Sequence, residues 1–432
     1  MNPPKDARID MPAESIPRKW YNFAADLPEP LEPMLNPKTR EPIRKEDMEA
    51  LFCKEIIKQE FSLERHVDIP AEVRDNYVTL CRPTPLQRAY HLERELGTPA
   101  KIFFKREDIG PLGSHKGNSA LAQAYYNAKA GMEALTTETG AGQWGSALAL
   151  ACKIFGLGCT VFMVRNSYEA KPYRKTVMGI YGADVHSSPS KATEYGKRVL
   201  AENPDTNGSL GIAISEACEL AAGNPKVKYA LGSVLNHVML HQTVIGLETI
   251  EQMKAADIVP DKAIACVGGG SNFAGFCFPM MREYGRDCQF IAAESSATPS
   301  LTKGERRYDY GDTGCMTPMM MMYTMGHEFM PSGIHAGGLR YHGMSPLVSE
   351  AYRHGMCSAV AYDQTETFEA GMMFANAEGI IPAPESCHAI KAAIDCALAA
   401  KRESREETIV FNLSGHGLID LYGYQQYMDG KL

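Results

Sequence analysis

The sequence lacks any C-x-x-C pair. Its twelve cysteines are scattered, several inside apolar stretches such as Ile264-Ala265-Cys266-Val267 and Cys152-Lys153-Ile154-Phe155. They read as reduced, buried thiols of a cytoplasmic protein, with no metal site expected. It also lacks blocks of lysine and arginine. The 44 basic residues against 52 acidic ones leave a net charge of −8, without the electrostatic footprint that binding a phosphate backbone demands, so nucleic acid is excluded as a partner. No apolar run approaches the ~18 residues of a membrane span, and the start, Met1-Asn2-Pro3-Pro4-Lys5-Asp6, shows no basic region followed by an apolar stretch. Neither a membrane partner nor a targeting segment is expected. There is no internal repeat and no low-complexity tail.

What remains is an ordinary globular composition, 44% hydrophobic and 22% charged. At 432 residues the chain exceeds the roughly 250–300 at which single cores stop growing, so two packed domains are the default. Residues 1 to 65 are rich in proline (Pro3, Pro4, Pro12, Pro17, Pro28, Pro30, Pro33, Pro37, Pro42) and read as an ordered arm lying on a domain. From Lys101-Ile102-Phe103-Phe104-Lys105 onward, short apolar runs alternate with amphipathic stretches. The expected order is a helix from Asn118, a strand ending near Thr137, a helix after Gly145, a strand over Thr160 to Val164 and a helix from Lys171. Further strands are expected at 263–267, 289–293 and 408–413. That alternation predicts α/β architecture with parallel sheets and ligands at the carboxyl ends of the strands. The run Met319 to Met322 reads as plastic packing rather than a ligand surface.

Three polar segments sit at such strand ends. In Gly113-Ser114-His115-Lys116-Gly117-Asn118 a lysine stands where a loop gives way to a helix. A lysine desolvated there can have a lowered pKa, which suits it to form a Schiff base and to act as a base, although most such lysines are solvated surface residues. In Gly268-Gly269-Gly270-Ser271-Asn272 three glycines let several N–H groups and a helix dipole converge on one anion, most simply a phosphate. The segment Gly140-Ala141-Gly142-Gln143-Trp144-Gly145 matches G-x-G-x-x-G, but a dinucleotide also requires an acid at the end of the next strand. That strand ends in Val164-Arg165-Asn166, which weakens an oxidoreductase and leaves open an arginine for a 2′-phosphate. Glu138, just before those glycines, is the more telling residue, since a carboxylate and free N–H groups can share one substrate.

Taken in order, these segments resemble the tryptophan synthase β chain, a fold-type II pyridoxal-phosphate enzyme. Glu378-Gly379-Ile380-Ile381-Pro382-Ala383-Pro384-Glu385 and Asn412-Leu413-Ser414-Gly415 extend the resemblance over nearly all of Arg82 to Gly417. Arg82-Pro83-Thr84-Pro85-Leu86, Gly142-Gln143-Trp144-Gly145, Leu231 to His237 and His335 to Gly343 resemble the divergent second type of that chain. The resemblance implies two parallel α/β domains with the active site between them. Their expected bounds are an arm over 1–65, an N-terminal domain over 66–80 and 115–235, and a C-terminal domain over 81–114 and 236–432.

It also implies site roles. Lys116 would carry pyridoxal 5′-phosphate, His115 would lie against it, Gly268, Gly269, Gly270, Ser271 and Asn272 would grip its phosphate, and Ser414 would face its ring nitrogen. Asn118, Gln143 and Glu385 are further expected cofactor contacts. The backbone of Thr139, Gly140, Ala141, Gly142 and Gln143 would bind the carboxylate of L-serine, and Glu138 would assist the attack of indole. Glu378 reads as a helix anchor. His237, His241 and His388 read as packing or hydrogen-bonded residues. Where the better-known β chain carries an aspartate, this loop reads Gly338-Leu339-Arg340-Tyr341-His342, so Arg340 is a candidate for a substrate contact, with O-phosphoserine as an alternative donor. The family implies a homodimer and leaves an α-subunit partner open. Competing readings are a serine or threonine dehydratase, a cysteine synthase or threonine synthase, against which Glu138 argues, a binding protein that kept the fold, and the oxidoreductase above.

Overall fold

The computed structural model describes residues 6–432, so the start read for a targeting segment, Met1 to Lys5, lies outside the described residues. Two sheets organise the chain. The larger runs Arg8–Ile9, Leu86–Arg88, Lys101–Arg106, Thr408–Leu413, Lys262–Cys266, Gln289–Ser295, Ser358–Tyr362. Leu86–Arg88 pairs antiparallel with both of its neighbours, and the remaining pairings are parallel. The smaller runs Asp184–Ser188, Gly158–Val164, Ala134–Thr139, Val227–Tyr229, parallel throughout. Central strands such as Lys262–Cys266 are buried along their whole length and covered by helices on both faces, as parallel sheets require.

The expected strands are present with shifted ends. The strand near Thr137 runs Ala134–Thr139 and so contains Glu138, and the helix after it starts at Gln143. Asp184–Ser188, Val227–Tyr229 and Ser358–Tyr362 were not legible as strands, being short or half polar. The methionine run forms the strand Met319–Thr324, paired with Glu305–Tyr310. Met320 and Met322 are buried, consistent with packing, but Met320 also lines the main cavity described below.

The arm is knitted into both sheets. Arg8–Ile9 adds an edge strand to the larger one, and Lys19–Tyr21 pairs with His66–Asp68. Leu51 accepts a hydrogen bond from the amide of Tyr229 at 2.8 Å, which fixes the edge of the smaller sheet. Glu60 ends the helix Lys54–Glu60 and caps another, Asn236–Gln242, by accepting from the amides of Asn236 and His237, both at 3.0 Å. Among the described residues no helix is long and apolar enough to cross a membrane.

Candidate active site

Lys116 follows the loop after the strand Lys101–Arg106 and starts the helix Gly117–Lys129. Its amine donates to the carbonyl of Gly232 at 2.6 Å and to Ser271 Oγ at 3.0 Å. Ser271 starts a second helix, Ser271–Tyr284, and its own amide donates to Ser233 Oγ at 3.1 Å. Gly270 before it offers no side-chain cap, so the remaining amides of the first turn are available to an anion. Gly270 precedes it at φ +115°. A Cβ on Gly269 would lie 2.7 Å from Ser233 Oγ, and one on Gly268 would lie 2.5 Å from the Gly338 carbonyl, so only bare backbone fits this turn. Burial pulls the Lys116 amine down to about 8, with Glu138 and Glu385 opposing the shift.

Glu138 faces the same cavity from the smaller sheet. Burial pushes its carboxyl up to about 7, against a hydrogen bond from Tyr229. The cavity has two kinds of wall. Lys116, Glu138, Gly140, Ala141, Gln143 and Gly269 form the polar side. Phe52, Trp144, Ile214, Leu231, Met320 and Tyr341 form the apolar side, whose aromatic and aliphatic side chains suit an apolar, aromatic partner.

The glycine loop after Thr139 is braced by Thr139 itself, whose Oγ1 accepts from the amides of Gly142 and Gly145, both at 3.2 Å. Gly142 is therefore a turn residue at φ +93° with its amide engaged, and not the substrate contact expected of it. Gln143 lines the cavity and donates to Glu385 Oε2 at 3.3 Å, while Glu385 Oε1 accepts from the Gly338 amide at 2.9 Å. This carboxylate ties together the loops on either side of the cavity.

Ser414 follows the strand Thr408–Leu413. Its Oγ lies 2.8 Å from Ser386 Oγ and 3.5 Å from Cys266 Sγ. His115 is buried with Nδ1 3.3 Å from the Ser414 carbonyl and Nε2 without a protein partner. Burial, with Lys116 adding to it, holds that imidazole down to about 3, so it is neutral. Asn272 contributes backbone only, because its side chain donates to the Cys266 carbonyl at 2.9 Å and accepts from Asn412 at 2.6 Å.

Two expected contacts point elsewhere. Asn118 accepts from Arg82 at 2.8 Å and donates to Gln242 at 3.1 Å and to Glu107 at 3.3 Å. It serves the buried ion cluster of Arg82, Glu107, Glu248 and Lys105, which needs neutral polar partners to complete its hydrogen bonding. Arg340 lies in a smaller cavity with Ser167 and Ser209, separated from the main one by Gly140, Leu210 and Gly337, which line both. Its guanidinium donates to the Pro331 carbonyl at 3.1 Å, its Nε is unpartnered, and burial alone lowers its pKa with no acid to compensate. It neither enters the main cavity nor forms an ion pair.

Tyr229 and Phe52 were not singled out from the sequence, and Met320 was read there only as packing. Phe52 comes from the arm and Tyr229 from a strand of three residues, so neither carried a local motif. Trp144 stood inside the recognised Gly142-Gln143-Trp144-Gly145 segment. The helical histidines are hydrogen-bonded core residues, with His237 Nδ1 2.7 Å from Glu60 and His241 Nε2 2.8 Å from Gln59. Glu378 accepts from the Leu92 amide at 2.9 Å and anchors a helix start. Arg165 donates to the carbonyls of Pro204 and Thr206, which leaves no arginine ready for a 2′-phosphate at that strand end.

The model of a family described as pyridoxal-phosphate dependent enzymes matches residues 78–415. The chain is 56% identical over 425 residues to tryptophan synthase beta chain 2 of Thermococcus kodakarensis, covering 98% of this chain and 96% of that one. It is 57% identical over 425 residues to the tryptophan synthase beta chain of Thermococcus gammatolerans, with the same coverage. With tryptophan synthase beta chain 2 of Methanosarcina mazei it shares 54% over 431 residues, covering 99% and 97%. Among solved structures, the processed threonine deaminase isoform 2 of Solanum lycopersicum superposes with a TM-score of 0.61 at 17% identity, covering 84% of this chain and 94% of that one. Maize serine racemase gives 0.58 at 17% identity, covering 83% and 98%; at such identities the likeness concerns the fold alone.

Proposed function

From the premise that the chain belongs to the tryptophan synthase β chains of the pyridoxal-phosphate-dependent enzymes, we infer that it condenses indole with L-serine to give L-tryptophan and water. The observation that carries this reading is that the Lys116 amine and the Glu138 carboxylate line one cavity whose opposite wall is aromatic and aliphatic.

The residues fit pyridoxal 5′-phosphate. A phosphate suits the helix start at Ser271 behind Gly268, Gly269 and Gly270, where side chains would collide with Gly338 and Ser233. Lys116 stands beside that turn, and Ser414 offers a neutral hydroxyl for a ring nitrogen. The neutral His115, whose Nε2 has no partner among the described residues, lies nearby and would suit packing against the cofactor.

When bound, the cofactor supplies an electron sink conjugated to the amino group of serine. The chain's residues then do the following. Lys116 Nζ, drawn toward neutrality by burial, takes the proton from the α-carbon of serine. The backbone of Thr139, Gly140, Ala141 and Gln143 holds the serine carboxylate, and Glu385 keeps Gln143 and Gly338 in register across the site. Ser414 Oγ, a neutral hydroxyl, would hold the cofactor's ring nitrogen without charging it, which would favour departure of the β-hydroxyl over racemisation. Indole occupies the apolar wall. Glu138 stabilises positive charge on the indole ring and takes the proton released when the ring regains its aromaticity.

Arg340 bears on the leaving group. From its separate cavity the guanidinium makes no direct contact with a group in the main cavity, which supports serine over O-phosphoserine as donor. A homodimer working in the cytoplasm completes the reading, on family grounds. The test is product analysis with the purified holoenzyme, indole and either serine or O-phosphoserine. Tryptophan from serine is expected. Pyruvate and ammonia without tryptophan would point instead to a dehydratase.

A further inference from the structure

A buried carboxylate such as Glu138 needs a partner that holds it in place. Register explains how that support arises. Thr136 pairs with Tyr229 across the parallel strands Ala134–Thr139 and Val227–Tyr229, and Glu138 lies two residues beyond Thr136 on the same face. Tyr229 therefore sits on the diagonal from Glu138, and its hydroxyl donates to Glu138 Oε2 at 2.5 Å. Both side chains are buried.

The other nearby donor is committed. Thr137 Oγ1 donates to the Ala230 carbonyl at 2.5 Å and accepts from Trp144 Nε1 at 2.6 Å, which leaves it 3.4 Å from Oε2. The groups that influence Glu138 from the elements around it are Lys116 at the helix start, Cys218 on the helix Leu210–Ala222, Tyr341 on the loop after Leu339, and Tyr229. Lys116 is the one cation among them. Tyr229 is itself clamped from the arm, by the Leu51 carbonyl on its amide and by the Phe52 ring, whose centroid is 5.8 Å from its own.

We propose that Tyr229 is a positioning residue that engages Oε2 of Glu138, so that Oε1 alone exchanges a proton with indole and does so as part of an ionised carboxylate. The inference rests on the reading of Glu138 given above. Burial keeps the Tyr229 hydroxyl protonated well beyond the working range, so the direction of its hydrogen bond does not reverse. In the step served, the C3–H bond of the attached indole breaks, its electron pair returns to the ring, and an O–H bond forms at Oε1. The proton then returns to solvent or to the next turnover. A phenol that always donates favours the anion over the acid, so Tyr229 opposes the effect of burial and preserves the base near neutral pH.

The test uses the holoenzyme, premixed with serine and then mixed with indole across the neutral range, with the serine-only step as internal reference. In Tyr229→Phe, which keeps the ring against Phe52, the acid limb of the indole step should move up by about one pH unit, the order expected for losing a hydrogen bond to a buried carboxylate. A ring-fluorinated tyrosine at 229, a stronger donor, should move it down. Infrared titration supplies a readout independent of turnover: the protonated-carboxyl band that disappears in Glu138→Gln should persist to higher pH in Tyr229→Phe. If the limb and the band stay in place while the rate falls equally at every pH, Tyr229 merely packs and the proposal is overturned. If Glu138→Gln itself leaves the indole step intact, the failure belongs to the reading of Glu138 instead.

Discussion

Lys116 Nζ lies 3.0 Å from Ser271 Oγ, so an amine at the start of one helix touches the start of another. The two helices follow strands far apart in the chain, Lys101–Arg106 and Lys262–Cys266, which belong to one sheet. This closeness sets a phosphate-sized anion site beside a reactive amine, yet keeps the two grips separate. On the proposed reading one would be covalent and belong to Lys116. The other is electrostatic and belongs to the glycine turn.

Lys116→Ala should therefore abolish tryptophan formation while the folded protein still binds pyridoxal phosphate through Gly268 to Asn272. The check is product assay beside a thermal-shift titration with the cofactor. Retained turnover above trace level would remove Lys116 from its assigned role.

Glu138→Gln should slow indole addition by ~10²–10⁴-fold, the usual contribution of a general acid or base, and leave the serine-only step nearly as it was. Rapid mixing resolves the two steps. Equal losses in both would mean that Glu138 only shapes the cavity.

The pH dependence follows from the same residue. Burial raises the Glu138 carboxyl from its ordinary 4.5 to about 7, so it is ionised above that value and protonated below it. Since indole addition uses the ionised form, its rate should fall as pH drops through about 7, where an exposed glutamate would hold its charge to much lower pH. The Glu138→Gln variant should lack that limb. A limb shared by both proteins would have another origin.

Arg340→Ala should leave the preference between serine and O-phosphoserine unchanged, because the guanidinium lies behind Gly140 and Gly337. Efficiencies with both donors, in the parent and the variant, decide it. A loss confined to O-phosphoserine would show that the loop carries Arg340 into the main cavity.

Glu60→Ala should destabilise the fold by about 3 kcal/mol, the order seen when one member of a buried, hydrogen-bonded pair is removed. It would leave the His237 ring, 2.7 Å away, and the amides of Asn236 and His237 without their acceptor. Thermal or denaturant unfolding measures this. A change of a few tenths would mean that water replaces the carboxylate.

Local chemistry alone carried a large share of this. An apolar strand ending in Gly268-Gly269-Gly270, or in a loop before Lys116, announces a strand–loop–helix unit and an anion site, because glycine backbones and helix starts behave alike wherever they occur. Tertiary structure decided the direction of side chains whose partners are remote. Asn118 turns toward Arg82 because a buried ion cluster draws every available polar group. Arg340 turns toward Pro331, away from the cavity that its loop borders. Tyr229 reaches Glu138 only because parallel register sets residue 229 opposite residue 136. Such pairings depend on which strands become neighbours in a sheet, and that is a property of the whole packed chain, invisible in any one segment.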